Sequence, residues 1–243
     1  MPKRGVDRLR VTDTDRAFAT TVGPPLAILG GTFDPVHYGH LRLAEDVRTA
    51  LALPEVRLVP AGDPPHREPP CATARDRVAM LELAVREFPG LVVDTREIER
   101  GGKSYTVDTL AELRAEMPRR PIALLVGADA FRGLHTWHRW KTLFALAHVV
   151  VVPRPGVAVD ESLAPMLAPE WDARRTADPQ VLRSRPCGAI YIQPVTAQAI
   201  SSTAIRAALA RGGAGKEAIA GLLPRAVLAY IETTGLYSPT HGS

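Results

Sequence analysis

The chain has 243 residues, of which 46% are apolar and only 5% are aromatic, so it is long enough for one α/β domain with a mainly aliphatic core. Its net charge of +4 fits an anionic ligand or an ordinary solvated surface, and the absence of any run of five like charges argues against a nucleic-acid-binding tail. The two cysteines, Cys71 and Cys187, are far apart, which argues against a disulfide framework and against a cysteine-based zinc site.

The first 22 residues differ from the rest of the chain. They contain no apolar segment of the kind found in a signal peptide, and the apolar stretches elsewhere are far shorter than a membrane span. We therefore expect a cytoplasmic protein without membrane or nucleic-acid partners. A loosely ordered N-terminal extension, residues 1–22, precedes a single domain over residues 23–243, and within it residues 157–187 predict a variable excursion with short helices.

Apolar runs and helical periodicity alternate along the remainder of the chain. The near-continuous apolar runs typical of strands buried on both faces occur at residues 26–30, 56–60, 91–95, 122–127, 148–152 and 189–193. Helical patterns occur at residues 39–53, 73–88, 104–117, 200–209 and 223–237. The alternation predicts a single doubly wound, Rossmann-like α/β domain with a mostly parallel sheet. In such a sheet a ligand binds outside the carboxyl ends of the strands, near the switch point.

Two features predict the second of these helices. Thr73 begins a T-x-x-D pattern that ends at Asp76, which is typical of a helix N-terminus. Val78, Leu81 and Val85 have the apolar spacing of a helix.

The stretch GGTFDPVHYGH follows directly behind the first predicted strand. Gly30 and Gly31 let the backbone approach a ligand closely, and the helix that follows presents N–H groups that favour an anion. His37 and His40 are three residues apart and therefore share one face of the first turn. The stretch predicts a strand–turn–helix that holds phosphate.

Two alternatives remain for this stretch. A Gly-Gly pair can form an ordinary turn, and paired histidines can ligate a metal ion. A metal site needs a third ligand, and the candidates His66, His135 and His138 are remote in sequence.

Four motifs in this order resemble those of a known family. GGTFDPVHYGH is similar to the G-G-T-F-D-P-x-H-x-G-H signature of the H-x-G-H nucleotidyltransferase superfamily, and ISSTAIRAAL at residues 200–209 resembles its I-S-x-T-x-I-R signature. SYTVDTL at residues 104–110 and GADAFRGLHTW at residues 127–137 resemble elements of the bacterial nicotinate-nucleotide adenylyltransferase family. The resemblance spans residues 26–237.

The resemblance implies a reaction as well as a fold. Members of this family transfer the adenylyl group of ATP to nicotinate mononucleotide in NAD biosynthesis, giving nicotinate adenine dinucleotide and pyrophosphate by direct in-line attack. The implied partners are therefore ATP and nicotinate mononucleotide. Mg²⁺ is expected to be carried on the ATP phosphates, and the family implies no metal held by the protein alone. A homo-oligomer is compatible with the sequence, which does not specify one.

The resemblance also implies which residues contact ATP. His37, His40 and Arg206 correspond to the catalytic residues around the ATP phosphates. The other implied ATP contacts are Gly30, Gly31, Thr32, Phe33, Gly127, Asp129, Arg154, Ser201, Ser202 and Thr203. From the residues alone, alternatives remain: the Phe33 ring can belong to the core, Asp129 can be a helix N-cap, and Arg206 can be a surface arginine on a helix capped by Ser201.

Four residues correspond to family positions around the mononucleotide. Trp137 matches the tryptophan that stacks on the cationic pyridine ring. Thr106 matches the position whose backbone N–H helps to hold the nicotinate carboxylate, and His138, which follows Trp137, could do the same. Arg67 stands where many relatives have lysine, so the charge near the mononucleotide phosphate is kept while its geometry changes.

Three competing functions are weaker. A pantetheine-phosphate adenylyltransferase usually has threonine at the position of His37 and lacks the element at residues 127–137. A non-catalytic nucleotide-binding regulator would not need both histidines and Arg206, and a nucleic-acid-binding domain is not supported by the few aromatic residues.

Overall fold

The computed structural model describes residues 23–64, 69–153, 159, 163–196 and 200–238. Its centre is a seven-stranded parallel sheet with the strand order β3-β2-β1-β4-β5-β7-β6. The strands are β1 (Leu26–Gly31), β2 (Val56–Pro60), β3 (Leu91–Val93), β4 (Ile122–Gly127), β5 (His148–Val152), β6 (Arg175–Thr176) and β7 (Ile190–Ile192). The predicted doubly wound α/β domain is confirmed.

Helices cover both faces of this sheet. They are α1 (Tyr38–Ala50), α2 (Ala74–Ala84), α3 (Arg96–Arg100), α4 (Thr106–Glu116), α5 (Ala128–Arg132), α6 (Trp140–Leu146), α7 (Ala168–Arg174), α8 (Val181–Ser184), α9 (Ser202–Ala210), α10 (Gly213–Ile219) and α11 (Arg225–Thr234). Short 3₁₀ helices occupy Val85–Glu87 and Leu134–Thr136. No helix in the described part of the chain is long and apolar enough to cross a membrane.

The sheet separates two hydrophobic layers. Along β1 the side chains alternate, so that Ala27 and Leu29 enter the layer beneath α1, α2, α9 and α11. Leu26 and Ile28 enter the opposite layer, which α4 and α6 cover. Strand β5 is buried along its whole length, as its uninterrupted apolar sequence predicts.

The six predicted strands are all present, but strand β6 and the short helices α3, α5, α6 and α10 were missed. Strand β6 has two residues at the sheet edge, where Arg175 pairs with Ile190, and it carries no apolar run that a sequence pattern could reveal. Helix α3 has only five residues, between β3 and α4. The excursion at residues 157–187 contains the expected short helices, α7 and α8, and in addition contributes β6 to the sheet.

The predicted helix at residues 73–88 is confirmed as α2 and the 3₁₀ helix that follows it. Asp76 N–H donates to the Thr73 hydroxyl at 3.2 Å, so the predicted cap is confirmed. The buried side chains, however, are those of Arg77, Met80, Leu81 and Ala84, while Val78 and Val85 are half-buried. The helix is rotated from the apolar pattern because the Arg77 guanidinium is buried against backbone carbonyl groups.

Because His148, the first residue of β5, is buried, we expect the fold to lose stability in acid. Its Nδ1 accepts from Ala189 N–H at 3.1 Å, which leaves Nε2 to donate to the Arg185 carbonyl at 2.8 Å. Burial, the largest cause, lowers the His148 pKa to about 4, from the 6.5 of an exposed histidine. A proton therefore binds the unfolded chain more readily than the folded one, and stability is lost as the pH falls from 6.5 towards 4.

We expect His148→Gln, which cannot titrate, to weaken this pH dependence by about one proton, or about 1.4 kcal/mol per pH unit. Urea unfolding of both proteins at several values between pH 7 and pH 4 measures the slope. The same slope in both proteins would contradict the assignment.

Candidate active site

A crevice opens at the switch point of the sheet, between β1 and β4, where the strand order reverses. Strand β1 pairs with β2 on one side and with β4 on the other, so the connections leaving their carboxyl ends diverge. A cavity of about 250 Å³ lies at this point. Seven of the predicted site residues line it: Gly30, Gly31, Thr32, Thr106, Gly127, Trp137 and His138.

One wall of the cavity combines aromatic rings with a helix N-terminus. Tyr105 is the N-cap of α4, so the N–H of Thr106 belongs to the first turn and has no acceptor within the helix. The Tyr105 ring lies 4.3 Å from the His138 ring, and half-buried Trp137 adjoins them. This wall offers flat faces for a ring and N–H donors for an anionic substituent.

The turn after β1 connects the cavity to the histidine pair. Phe33 has a φ of 52°, in the left-handed region that few side chains adopt. A Cβ atom on Gly31 would lie 3.0 Å from the Phe33 ring, so a larger residue here would force the ring to shift by a few tenths of an ångström. The Phe33 ring is 1% exposed and makes an edge contact with His40 at 5.0 Å. The alternative that the Phe33 ring belongs to the core is therefore correct, and the buried ring packs against the turn.

The two histidines of the turn are brought together as predicted. The His37 and His40 rings stack with centroids 3.7 Å apart. His37 is the N-cap of α1, and its Nδ1 would lie 2.9 Å from a Cβ atom on Gly39. The glycine of the H-x-G-H pattern thus makes room for the His37 ring.

His37 is electrically neutral near pH 7. Burial lowers its pKa to about 4, against the smaller opposing effect of a hydrogen bond to its own backbone. Its Nδ1 is buried and has no hydrogen-bond partner among the described residues.

Helix α9 packs its N-terminus against the same turn. The Ser202 hydroxyl donates to the Pro35 carbonyl at 3.0 Å, and Arg206 Nη1 donates to the Asp34 carbonyl at 2.6 Å. Arg206 is therefore bound to the turn, and its alternative as an ordinary surface arginine is wrong. Ser201 is the N-cap, but its side chain makes no capping bond, and it is exposed like Thr203.

Asp129 does not line the cavity. Its exposed carboxylate pairs with Arg132 one turn later. Its alternative as a helix N-cap is wrong, because Gly127 is the N-cap of α5, and the contact of Asp129 with ATP stays a prediction. Arg67 and Arg154 lie outside the described residues, so their roles stay predictions.

Two further residues hold the site together and were missed by the sequence reasoning. The buried Arg77 Nη1 donates to the carbonyls of Thr32 at 2.9 Å and Ala61 at 2.6 Å, and Nη2 donates to Gly62 at 3.2 Å. Arg77 thereby ties the turn after β1 to the loop after β2. Asp34, inside the first motif, accepts hydrogen bonds from two other segments of the chain, and the motif itself could have indicated it.

The metal alternative for the histidine pair depends on a third ligand. Among the described residues, no three histidine, cysteine or acidic side chains lie close enough together to hold a metal ion. The candidate third ligand His66 lies outside the described residues, so its part in this alternative stays untested. Two helix N-termini, those of α1 and α9, instead meet at the turn, and helix N-termini favour anions such as phosphate.

Comparison with known proteins agrees with this geometry. Residues 28–208 match the model of the cytidylyltransferase-like family. The protein named "Probable nicotinate-nucleotide adenylyltransferase" of Acidithiobacillus ferrooxidans is 48% identical over 212 residues, covering 87% of this chain and 95% of its own. The Laribacter hongkongensis protein of the same name is 50% identical over 220 residues, covering 89% and 97%.

Solved structures share the fold. Plasmodium falciparum nicotinic acid mononucleotide adenylyltransferase complexed with NaAD superposes with a TM-score of 0.66 at 16% sequence identity, over 88% of this chain and 98% of its own. The same enzyme complexed with APC gives a TM-score of 0.64 at 15% identity, with the same coverage of both chains. At this identity the likeness supports the fold alone.

Proposed function

This chain belongs to the nicotinate-nucleotide adenylyltransferases, and we propose that it transfers the adenylyl group of ATP to nicotinate mononucleotide in NAD biosynthesis. The products are nicotinate adenine dinucleotide and pyrophosphate. The observation that carries the proposal is the junction at the turn after β1, where the aromatic cavity adjoins a histidine pair between two helix N-termini.

The arrangement suits a direct displacement. An oxygen of the mononucleotide 5′-phosphate forms a bond to the α-phosphorus of ATP, and the bond from that phosphorus to the oxygen of the leaving pyrophosphate breaks. No covalent enzyme intermediate is needed, so positioning of the two substrates and stabilisation of the transferred phosphoryl oxygens supply the acceleration.

Several groups of this chain contribute to that stabilisation. His37 is neutral and acts as a hydrogen-bonding group, because its low pKa prevents it from carrying a charge near pH 7. His40 lies on the same face of α1 and donates to the reacting phosphate. Arg206 supplies a permanent positive charge, since a guanidinium keeps its proton at any physiological pH. The N-termini of α1 and α9 add fixed partial charges.

Mg²⁺ would accompany the ATP phosphates. Mg²⁺ is usually held by substrate phosphate oxygens and water rather than by a cage of protein ligands. Bound there, it would neutralise charge on the pyrophosphate as it leaves. We also propose a cytoplasmic location, which agrees with two unpaired cysteines, Cys71 and Cys187.

The cavity wall predicts a preference for nicotinate over nicotinamide mononucleotide. N–H donors near Thr106 and His138 can each bond a carboxylate oxygen, whereas an amide would turn its NH₂ group towards one of them. An unpartnered buried polar group costs about 1–3 kcal/mol, so we expect about a ten- to hundredfold higher kcat/KM for the nicotinate substrate. Initial rates with ATP and each mononucleotide measure this ratio, and equal efficiencies would contradict the carboxylate pocket.

The stacking role of Trp137 can be tested in the same assay. Trp137→Ala is expected to raise the KM of both mononucleotides, because the indole face serves either ring. Trp137→Phe keeps an aromatic face and serves as the matched control. An unchanged KM in the alanine variant would remove Trp137 from the binding site.

A further inference from the structure

The carboxylate of Asp34 accepts hydrogen bonds from two distant segments of the chain. Its Oδ1 accepts from Ala72 N–H at 3.0 Å and from the Tyr237 hydroxyl at 2.7 Å. Its Oδ2 accepts from Cys71 N–H at 2.8 Å and lies 3.7 Å from Arg206 Nη1. The side chain is 5% exposed, so these groups, rather than water, fix its orientation.

The backbone carbonyl of the same residue holds Arg206. Arg206 Nη1 donates to it at 2.6 Å, and this is a direct bond from α9 to the turn. Because carboxylate and carbonyl belong to one residue, the bonds that anchor the carboxylate also restrain the backbone position of the carbonyl that Arg206 binds. Asp34 therefore connects its carboxylate partners to the position of Arg206.

Tyr237 is the one side chain among these partners that comes from the C-terminal end of the chain. It follows α11 and Gly235, which ends that helix in the left-handed conformation, and it has a φ of 63° itself. Its ring is buried. Burial, and next the bond to Asp34, raise the pKa of the Tyr237 hydroxyl far above its ordinary value, so the hydroxyl keeps the proton that it donates.

We propose that Tyr237 is a positioning residue of the active site: its hydrogen bond to Asp34 holds the turn in the conformation that aims Arg206 at the ATP phosphates. This inference rests on the proposed function, because it assumes that Arg206 contacts ATP. The segment behind α11 thereby sets the geometry of a motif more than 200 positions earlier in the chain.

A second tyrosine–aspartate bond supplies a matched control. The Tyr230 hydroxyl on α11 donates to Asp76 Oδ1 at 2.8 Å, so it also joins the C-terminal helix to the body of the domain. That bond ends at the first turn of α2 and makes no contact with the turn after β1. Tyr230→Phe removes the same chemical interaction without touching the proposed path to Arg206.

The experiment compares Tyr237→Phe, Tyr230→Phe and the unmodified full chain. For Tyr237→Phe we expect kcat/KM for ATP to fall by about tenfold, as for loss of one charge-assisted hydrogen bond, with KM for nicotinate mononucleotide unchanged. Tyr230→Phe should change neither. An equal loss in both variants, or an equal rise of both KM values in Tyr237→Phe, would overturn the proposal.

Combination with Arg206→Ala tests the path itself. If Tyr237 acts through Arg206, Tyr237→Phe has no further effect on ATP in the Arg206→Ala background. Full additivity would overturn the proposal. Should Tyr237→Phe fold poorly, Asp34→Asn replaces it and is expected to show the same selective loss for ATP; an equal loss for both substrates would overturn the proposal.

Binding of ATP in the absence of mononucleotide gives a readout that does not depend on turnover. Tyr237→Phe should weaken ATP binding in calorimetry, whereas Tyr230→Phe should not. If the unmodified protein binds ATP but forms no dinucleotide, the proposed function fails while the positioning role is still measured. ATP binding that is equally strong in all three proteins overturns the positioning role.

Discussion

Replacement of His40 with alanine is expected to lower kcat by about two to three orders of magnitude, as for removal of one donor to a transition-state oxygen. The His40 ring stacks on His37 and touches the edge of Phe33, so it lies in the turn that adjoins the cavity. The fold should survive, because the Phe33 ring and α1 remain packed in the core. Turnover under saturating ATP and nicotinate mononucleotide measures the effect, with thermal unfolding as the test of folding.

His135→Ala is the matched control for this variant. His135 lies on the 3₁₀ helix Leu134–Thr136 and does not line the cavity. Its loss should leave kcat within about twofold of the unmodified protein, since surface substitutions generally have small effects. Turnover of His40→Ala equal to that of this control would remove His40 from the reaction, and a loss of tenfold or less would make it a binding residue only.

Replacement of Arg77 with leucine should have the largest effect on stability. Three backbone carbonyls, those of Thr32, Ala61 and Gly62, lose their donor. They are partly accessible and can bond water, so we expect the free energy of unfolding to fall by about 2–4 kcal/mol, less than the full cost of three buried unpaired groups. Activity should fall as well, because the loops after β1 and β2 are no longer joined.

Urea unfolding measures this loss, and Arg75→Leu is its control. Arg75 lies on the same helix, but its side chain is exposed. The same unfolding midpoint in both variants would show that Arg77 contributes nothing beyond helix propensity. Arg77→Lys should recover only part of the stability, since an ammonium cannot reproduce the geometry of a guanidinium that bonds several carbonyls.

The architecture could be predicted from the sequence because its main signals are local. Strands that are buried on both faces have uninterrupted apolar sequences, and HVVVV in β5 is an example. The face of α1 was predictable for the same reason, with Leu41, Ala44 and Val47 at helical spacing. Strand β6 was not predictable, because two residues at a sheet edge are too few to show a periodic pattern of apolar side chains.

From the residues alone, the candidate site was predictable only within one motif, and the cavity residues of other segments, such as Thr106 and Trp137, were identified through the family resemblance. Gly31, His37 and His40 share one motif, and one turn of helix brings the two rings together. The role of Arg77 depends on a buried guanidinium that composition assigns to the surface. The bond between Asp34 and Tyr237 joins residues 203 positions apart, a contact that no local pattern encodes.

The most direct measurement of the central claim is product analysis after incubation of the purified full-length chain with ATP, Mg²⁺ and nicotinate mononucleotide. We expect nicotinate adenine dinucleotide and pyrophosphate in equal amounts, and no product when the mononucleotide is omitted. Release of pyrophosphate without dinucleotide, or adenylylation of phosphopantetheine in place of nicotinate mononucleotide, would contradict it.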